Sequence, residues 1–311
     1  ETPLISIVSP VYKAEKIVDI LVKRIKEEVS KITENYEIIL VEDGSPDRSW
    51  EAIERNCMED KRVKGIKLSR NFGQQIAMSA GMRYALGEYT IIMDCDLQNP
   101  PEVIPEIIAR LQANVDIVYT VSDVRNNFTD EYSSKLFWFL MNEVLNVNII
   151  PNQLMMKGFS RRFLNIYNTY DERVRVVAGI THDIGMHYEV LQIKNKKRLQ
   201  GKGNYSFLKR FHLMLDIILA MTNKPLEYLI NVSILALFLI MCVGLWNLIN
   251  YLLNPNIPPG YTTLLIVTAF FGSLTLLVLG IIGRYLANIY VEIRQRPLFI
   301  VNKVLNLNQN E

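Results

Sequence analysis

Short apolar runs alternate with stretches of helical periodicity over the N-terminal part of the chain. Leu4–Tyr12 reads as a strand that ends at a proline. Residues 16–33 follow with Ile17, Ile20, Leu21, Ile25, Val29 and Ile32 on one helical face. Tyr36–Val41 is a second strand, Ser49–Met58 a helix, Val63–Leu68 a third strand and Gln74–Leu86 a helix. The apolar run that begins at Tyr89 is a fourth strand, and Asp116–Val121 another. Strands alternating with helices predict right-handed crossovers and a mainly parallel sheet with helices on both faces.

Later segments change character. Residues 130–147 carry a bulky face of Leu136, Phe137, Phe139, Leu140, Val144 and Leu145. Residues 207–222 set Phe207, Phe211, Met214, Leu215 and Ile218 against Lys209, Arg210 and Asp216. The first face reads equally as ordinary core or as an amphipathic helix on a bilayer, and the second repeats the theme. Tyr228–Leu253 and Tyr261–Gly283 each exceed the roughly 20 apolar residues that cross a bilayer.

Composition sharpens that picture. The 311 residues are 21% charged, yet no Asp, Glu, Lys or Arg occurs from Tyr228 to Gly283. Lys209, Arg210 and Lys224 precede the apolar region, and Arg284, Arg294, Arg296 and Lys303 follow it. By the positive-inside rule this predicts a two-span hairpin in a bacterial plasma membrane, with the main domain and both termini cytoplasmic. A net charge of +2 implies no general attraction to nucleic acid. Cys57, Cys95 and Cys242 have no metal-type spacing, which argues against zinc and for a reducing compartment. Residues 4–12 read as a strand of the fold rather than a signal peptide, and Glu1 in place of Met leaves room for residues before it.

Candidate chemistry lies at the strand ends. Tyr12, Glu42-Asp43 and Asp94-Cys95-Asp96 each follow a predicted strand, where ligands bind in parallel α/β sheets. Side chains two apart on a strand share a face, so Asp94 and Asp96 are expected together at one edge. Hard cations such as Mg²⁺ or Mn²⁺ take carboxylate oxygens and keep positions for phosphates. A bland alternative is that the two Asp cap the next helix or sit solvated in a turn. Neither G-x-G-x-x-G nor G-x-x-x-x-G-K-[ST] occurs, which sets aside dinucleotide and P-loop chemistry.

Four stretches then occur in a telling order: Val8-Ser9-Pro10-Val11-Tyr12, Val41-Glu42-Asp43-Gly44-Ser45-Pro46-Asp47, Leu68-Ser69-Arg70-Asn71-Phe72-Gly73, and Met93-Asp94-Cys95-Asp96-Leu97-Gln98-Asn99-Pro100-Pro101. Together with Gly283-Arg284-Tyr285-Leu286 and Arg296-Pro297-Leu298-Phe299, they resemble the family 2 glycosyltransferases of GT-A fold, in the polyprenyl-phosphate branch. The resemblance implies a Rossmann-like catalytic domain over 1–205, a juxtamembrane helix over 206–226, two transmembrane helices over 227–288 and a cytoplasmic tail over 289–311. It implies inverting transfer of one sugar from a UDP- or GDP-sugar to undecaprenyl or dolichyl phosphate, at a lipid bilayer. A homo-oligomer is compatible with it.

Carried over by position, the resemblance gives Pro10, Tyr12, Glu42 and Asp43 the base and ribose of the nucleotide. It gives Asp94 and Asp96 the metal and diphosphate, with Gln98 beside them as a third catalytic residue. Arg125, Ser134 and Lys135 are expected at the acceptor phosphate, and Arg198 and Lys202 at a stretch closing over phosphate. The chain departs from the family pattern in Tyr12-Lys13-Ala14, where relatives often read Tyr-Asn-Glu and where Glu15 is the nearest acid. It departs again before Ser160-Arg161-Arg162, where Asn152 stands in place of an Asp. A processive polysaccharide synthase is a weaker alternative, since no Gln-x-x-Arg-Trp occurs. A silent scaffold that only binds nucleotide-sugar or lipid is the other.

Overall fold

The computed structural model describes residues 2–122, 150, 152–170, 177–193, 224–253 and 260–307. The chain divides into two compact units, one built on a sheet and one holding two long helices.

The sheet unit contains β1 (Ile5–Val11), β2 (Tyr36–Glu42), β3 (Val63–Leu68), β4 (Tyr89–Ile92), β5 (Ile117–Ser122), β6 (Gln153–Ser160), β7 (Tyr188–Ile193) and β8 (Val301–Leu305). They form one eight-stranded sheet in the order β7-β5-β6-β4-β1-β2-β3-β8. β1 pairs in parallel with β2 and β4, β2 with β3, and β5 with β7. β6 runs antiparallel to both β4 and β5, and β8 antiparallel to β3. The sheet is therefore mixed, with four of its seven pairings parallel, consistent with the expected mainly parallel sheet. The predicted parallel block is its centre, and the reversals come from β6 and β8, which the sequence reading leaves unassigned.

Alternation along the strands sends side chains to two cores. Ile38 and Leu40 of β2 join a cluster with α1 (Val18–Val29), α2 (Ser49–Glu59) and α4 (Ile104–Gln112) through residues such as Leu21, Ile53 and Ile107. Ile39 and Val41 join the opposite cluster with α3 (Gln74–Tyr84), α5 (Arg161–Tyr167) and α6 (Val177–Ile184). Each such buried aliphatic side chain contributes about 1.5–3 kcal/mol. Gly158 of β6 admits α4 at close range, since a Cβ there would stand 2.3 Å from Ile107 Cγ2. At β3, Val301 and Val304 of the C-terminal strand pack against the second cluster, so residues within 289–311 complete the sheet edge.

The other unit carries α7 (Lys224–Leu253) and α8 (Tyr261–Ile293). α8 contains the predicted 261–283 stretch and continues through Arg284 and Glu292. Among the described residues, one segment, Phe270–Ile293, is long and apolar enough to cross a membrane. That segment corresponds to one helix of the predicted two-helix hairpin. The faces predicted over 130–147 and 207–222 lie outside the described residues.

Candidate active site

Because β4, β1 and β2 are parallel neighbours, their carboxyl ends open on one edge of the sheet. A cavity of about 580 Å³ lies there. Pro10 and Tyr12 line it from the end of β1, Asp43 from β2, and Asp94, Asp96 and Gln98 from β4. The facing wall is Asn71, Gly73 and Gln74 ahead of and at the start of α3, with Gln153, Leu154 and Met155 of β6. Five of the six residues predicted for nucleotide and metal, with Gln98, therefore line one cavity.

Asp43 is buried, and both its oxygens hold the Ser-Arg-Asn-Phe-Gly loop. Oδ1 accepts from the Phe72 N–H at 2.7 Å and Oδ2 from the Gly73 N–H at 2.9 Å. Burial pushes its carboxyl above the ordinary range, against the pull of those two bonds and of Arg70. Glu42 sits behind the wall rather than on it. It is buried, accepts from the Ser45 N–H through Oε1, and Oε2 has no partner among the described residues. Burial raises its carboxyl as well. Gly44 adopts φ +60°, the left-handed region that favours glycine.

Asp94 and Asp96 share the cavity for a reason other than strand alternation. β4 ends at Ile92, and both carboxylates stand in the turn beyond it. Asp96 Oδ1 accepts from the Gln98 N–H at 3.1 Å, and the Gln74 side-chain amide donates to Asp94 Oδ1. Leu97 holds the turn together: its φ is +59°, unusual for a leucine, and its side chain is buried in the core. Cys95 between them has its thiol pushed up to about 11 by burial, so it is a weak ligand or nucleophile at neutral pH.

The donor set fits a hard cation. It offers two carboxylates with the amides of Gln98 and Asn99 beside them, and Asn99 Oδ1 is buried without a hydrogen-bond partner among the described residues. Among the described residues, no three His, Cys, Asp or Glu side chains stand together as a ready metal-ligand set. A cation here would complete its shell from outside the protein, as phosphate oxygens do.

Other expectations fall elsewhere. Arg125, Ser134, Lys135, Arg198 and Lys202 lie outside the described residues. Glu15 is not on the cavity wall; its carboxylate accepts from the Arg48 N–H at 3.1 Å. Asn152 turns with φ +55° and its carbonyl accepts from the Ser122 N–H, while its successor Gln153 faces the cavity. Asp183 of α6 accepts from the Tyr170 hydroxyl at 3.0 Å and does not line the cavity.

Sequence reasoning gives no role to Asn71, Gln74, Asn99, Gln153 or Lys157. Lys157 is the most informative. It lies in register with Ile92 across β4 and β6, it is 2% exposed, and its ammonium donates to the Leu154 carbonyl at 3.2 Å. Burial drops its pKa to about 8, opposed by the negative charge of Asp94. A lone charge inside Leu154-Met155-Met156-Lys157-Gly158-Phe159 was the available signal.

Comparison with known proteins follows the same lines. The family model described as Glycosyl transferase family 2 matches residues 6–169. An uncharacterized glycosyltransferase, YkcC, of Bacillus subtilis is 33% identical over 96% of this chain and 93% of its own. The undecaprenyl-phosphate 4-deoxy-4-formamido-L-arabinose transferase of Shewanella sediminis is 31% identical over 97% of this chain and 92% of its own. The prophage-derived bactoprenol glucosyl transferase of Shigella flexneri is 29% identical over 96% and 97%. Among solved structures, glucosyl-3-phosphoglycerate synthase from Mycobacterium tuberculosis superposes with a TM-score of 0.50 at 14% identity, over 71% of this chain and 80% of that one. That last likeness is one of fold.

Proposed function

Because the chain belongs to glycosyl transferase family 2, we propose that it moves a single sugar, with inversion, from a UDP- or GDP-sugar to the phosphate of a polyprenol. The observation that carries this reading is the convergence of Pro10, Tyr12 and Asp43 with Asp94, Asp96 and Gln98 on one cavity at the carboxyl ends of β1, β2 and β4. Support for the acceptor comes from relatives named as undecaprenyl-phosphate and bactoprenol sugar transferases, which match this chain over nearly their whole length.

Pro10, Tyr12 and Asp43 take the base and ribose, with Glu42 shaping the turn behind them. Asp94 and Asp96 would hold Mg²⁺ or Mn²⁺, whose chemistry is to take up negative charge on a leaving diphosphate. Gln98 orients the group beside them. The acceptor phosphate is already anionic near neutral pH, so it attacks without a strong base, and the protein supplies position and charge. Arg125, Ser134, Lys135, Arg198 and Lys202 are assigned to the acceptor side, where basic and hydroxyl groups suit phosphate. α7 and α8 are read as a two-span anchor with both ends cytoplasmic, in a layout of 1–205, 206–226, 227–288 and 289–311.

The test uses purified protein in detergent with undecaprenyl phosphate, Mg²⁺ or Mn²⁺, and a panel of UDP- and GDP-sugars. Mass spectrometry is expected to find one lipid-phosphate-sugar. Release of free sugar or growth of a polymer, with no lipid-linked monosaccharide, overturns the reading.

A further inference from the structure

A buried ammonium stands behind the carboxylate turn and has no need to be charged for packing. Lys157 is wholly enclosed and, among the described residues, makes one hydrogen bond, to the Leu154 carbonyl. An ammonium has three donors, and burying it without full pairing is unfavourable. A methionine fills nearly the same volume without that penalty. Among the described residues, the negative charge of Asp94 acts on it. Lys157 pairs with Ile92, two residues before Asp94, where the β4–β6 ladder ends. The next residues of β6 toward the site, Met155 and Leu154, line the same cavity as Asp94.

We infer that Lys157 is a positioning residue acting through Asp94, and that it keeps the carboxylate pair from retaining a divalent cation until a nucleotide diphosphate is present. The inference rests on the reading of Asp94 and Asp96 as the cation site. Two carboxylates alone carry a charge of about −2; the ammonium behind them reduces the local charge to about −1, and it repels an incoming cation through a poorly screened interior. No third acidic, histidine or cysteine ligand joins the pair among the described residues. The anionic oxygens of a diphosphate then supply the missing attraction, so cation and donor are held together and leave together.

The test is Mn²⁺ binding to full-length protein in detergent, measured by calorimetry without nucleotide, with UDP and with GDP, and corrected for Mn²⁺ bound by nucleotide in solution. Wild-type protein is expected to bind Mn²⁺ at least tenfold more tightly with one of the diphosphates than without. Lys157→Met and Lys157→Gln are expected to raise the nucleotide-free affinity at least tenfold, and Lys157→Arg to behave as wild type. Equal wild-type affinity with and without nucleotide overturns the inference, whether or not the variants fold. So does a folded Lys157→Met protein whose nucleotide-free affinity is unchanged. Absence of Mn²⁺ binding in protein that binds nucleotide overturns the cation site itself, and this inference with it.

Discussion

Gly44 and Asn71 approach so closely that a Cβ on Gly44 would stand 2.3 Å from the Asn71 backbone nitrogen and 2.5 Å from the Arg70 carbonyl carbon. The contact joins the turn after β2 to the loop before α3, and the same two segments are tied by Asp43 and the Phe72 and Gly73 N–H groups. Gly44→Ala meets backbone, which has nowhere to yield, and adds about 1–2 kcal/mol for a left-handed alanine. The displaced loop carries Asn71 and Gly73 of the cavity wall. Nucleotide affinity, measured by calorimetry, is expected to fall at least tenfold, with a lower melting temperature. An unchanged affinity would mean that the loop does not shape the nucleotide site.

Two groups of carboxylates predict opposite pH slopes. Burial raises Glu42 above the ordinary carboxylate value, so the folded state binds the extra proton. Its contribution to stability therefore declines as pH rises from that ordinary value through the raised one. Asp60 is the reverse case: burial alone would raise it, but the bonds from Arg62 and from Lys26 at 2.9 Å outweigh burial and lower it. Its contribution is present above the ordinary value and is lost as pH falls through the lowered one. Melting temperatures in detergent between about pH 4 and pH 8 should show Glu42→Gln gaining on wild type as pH rises. Asp60→Asn should run level with wild type over most of that range and lose ground below it, as pH rises from the lowered value toward the ordinary one. Parallel curves for the two variants above about pH 4 would contradict the Glu42 assignment.

The C-terminal strand makes a third prediction, through Asn306. Its φ is +58°, and its side-chain amide donates to the Cys57 carbonyl at 2.7 Å and the Val63 carbonyl at 2.8 Å. Lys303 reinforces the same edge by donating to Glu54 Oε1 at 2.7 Å, an oxygen that also accepts from Trp50 Nε1. Asn306→Gly keeps the backbone and loses about 1–2 kcal/mol of hydrogen bonding. Asn306→Ala loses the same bonds and adds about 1 kcal/mol of left-handed strain, so it should melt lower than the glycine variant. Hydrogen exchange should quicken along β3 in both. A glycine variant as stable as wild type would mean that the two bonds contribute nothing.

How far the fold could be read from residues depended on where each pairing partner lay. β1 to β5 are apolar runs with polar stops, and every one was legible. β6 hides its strand behind Lys157 and Gly158, because Met156 to Phe159 are buried in an unbroken run that does not alternate. β8 reads Val-Asn-Lys-Val-Leu, and its partner β3 lies more than two hundred residues earlier, beyond the reach of any local pattern. The cavity residues at strand ends were legible for the same reason that the strands were. Gln74 and Gln153 were not, since a glutamine on a wall carries no periodicity. Asp94 and Asp96 were found, although the turn anchored by Leu97, rather than strand alternation, brings them together.

That turn supplies the last prediction, because it separates shape from charge. Asp96 Oδ1 accepts from the Gln98 N–H, and an asparagine oxygen can accept the same bond. Asp96→Asn therefore keeps the turn and removes one negative charge, whereas Asp96→Ala removes both. If the pair works by holding a cation against a diphosphate, the two variants should fail alike, each with transfer reduced on the order of 10²–10³-fold. Both should insert and melt within a few degrees of wild type. Chelation with EDTA should stop wild-type transfer, and added Mg²⁺ or Mn²⁺ should restore it. The measurement is lipid-linked product per minute at saturating donor, with nucleotide affinity followed in parallel. Near-normal transfer by Asp96→Asn, beside a dead Asp96→Ala, would assign the residue to the turn and leave the cation without its second carboxylate.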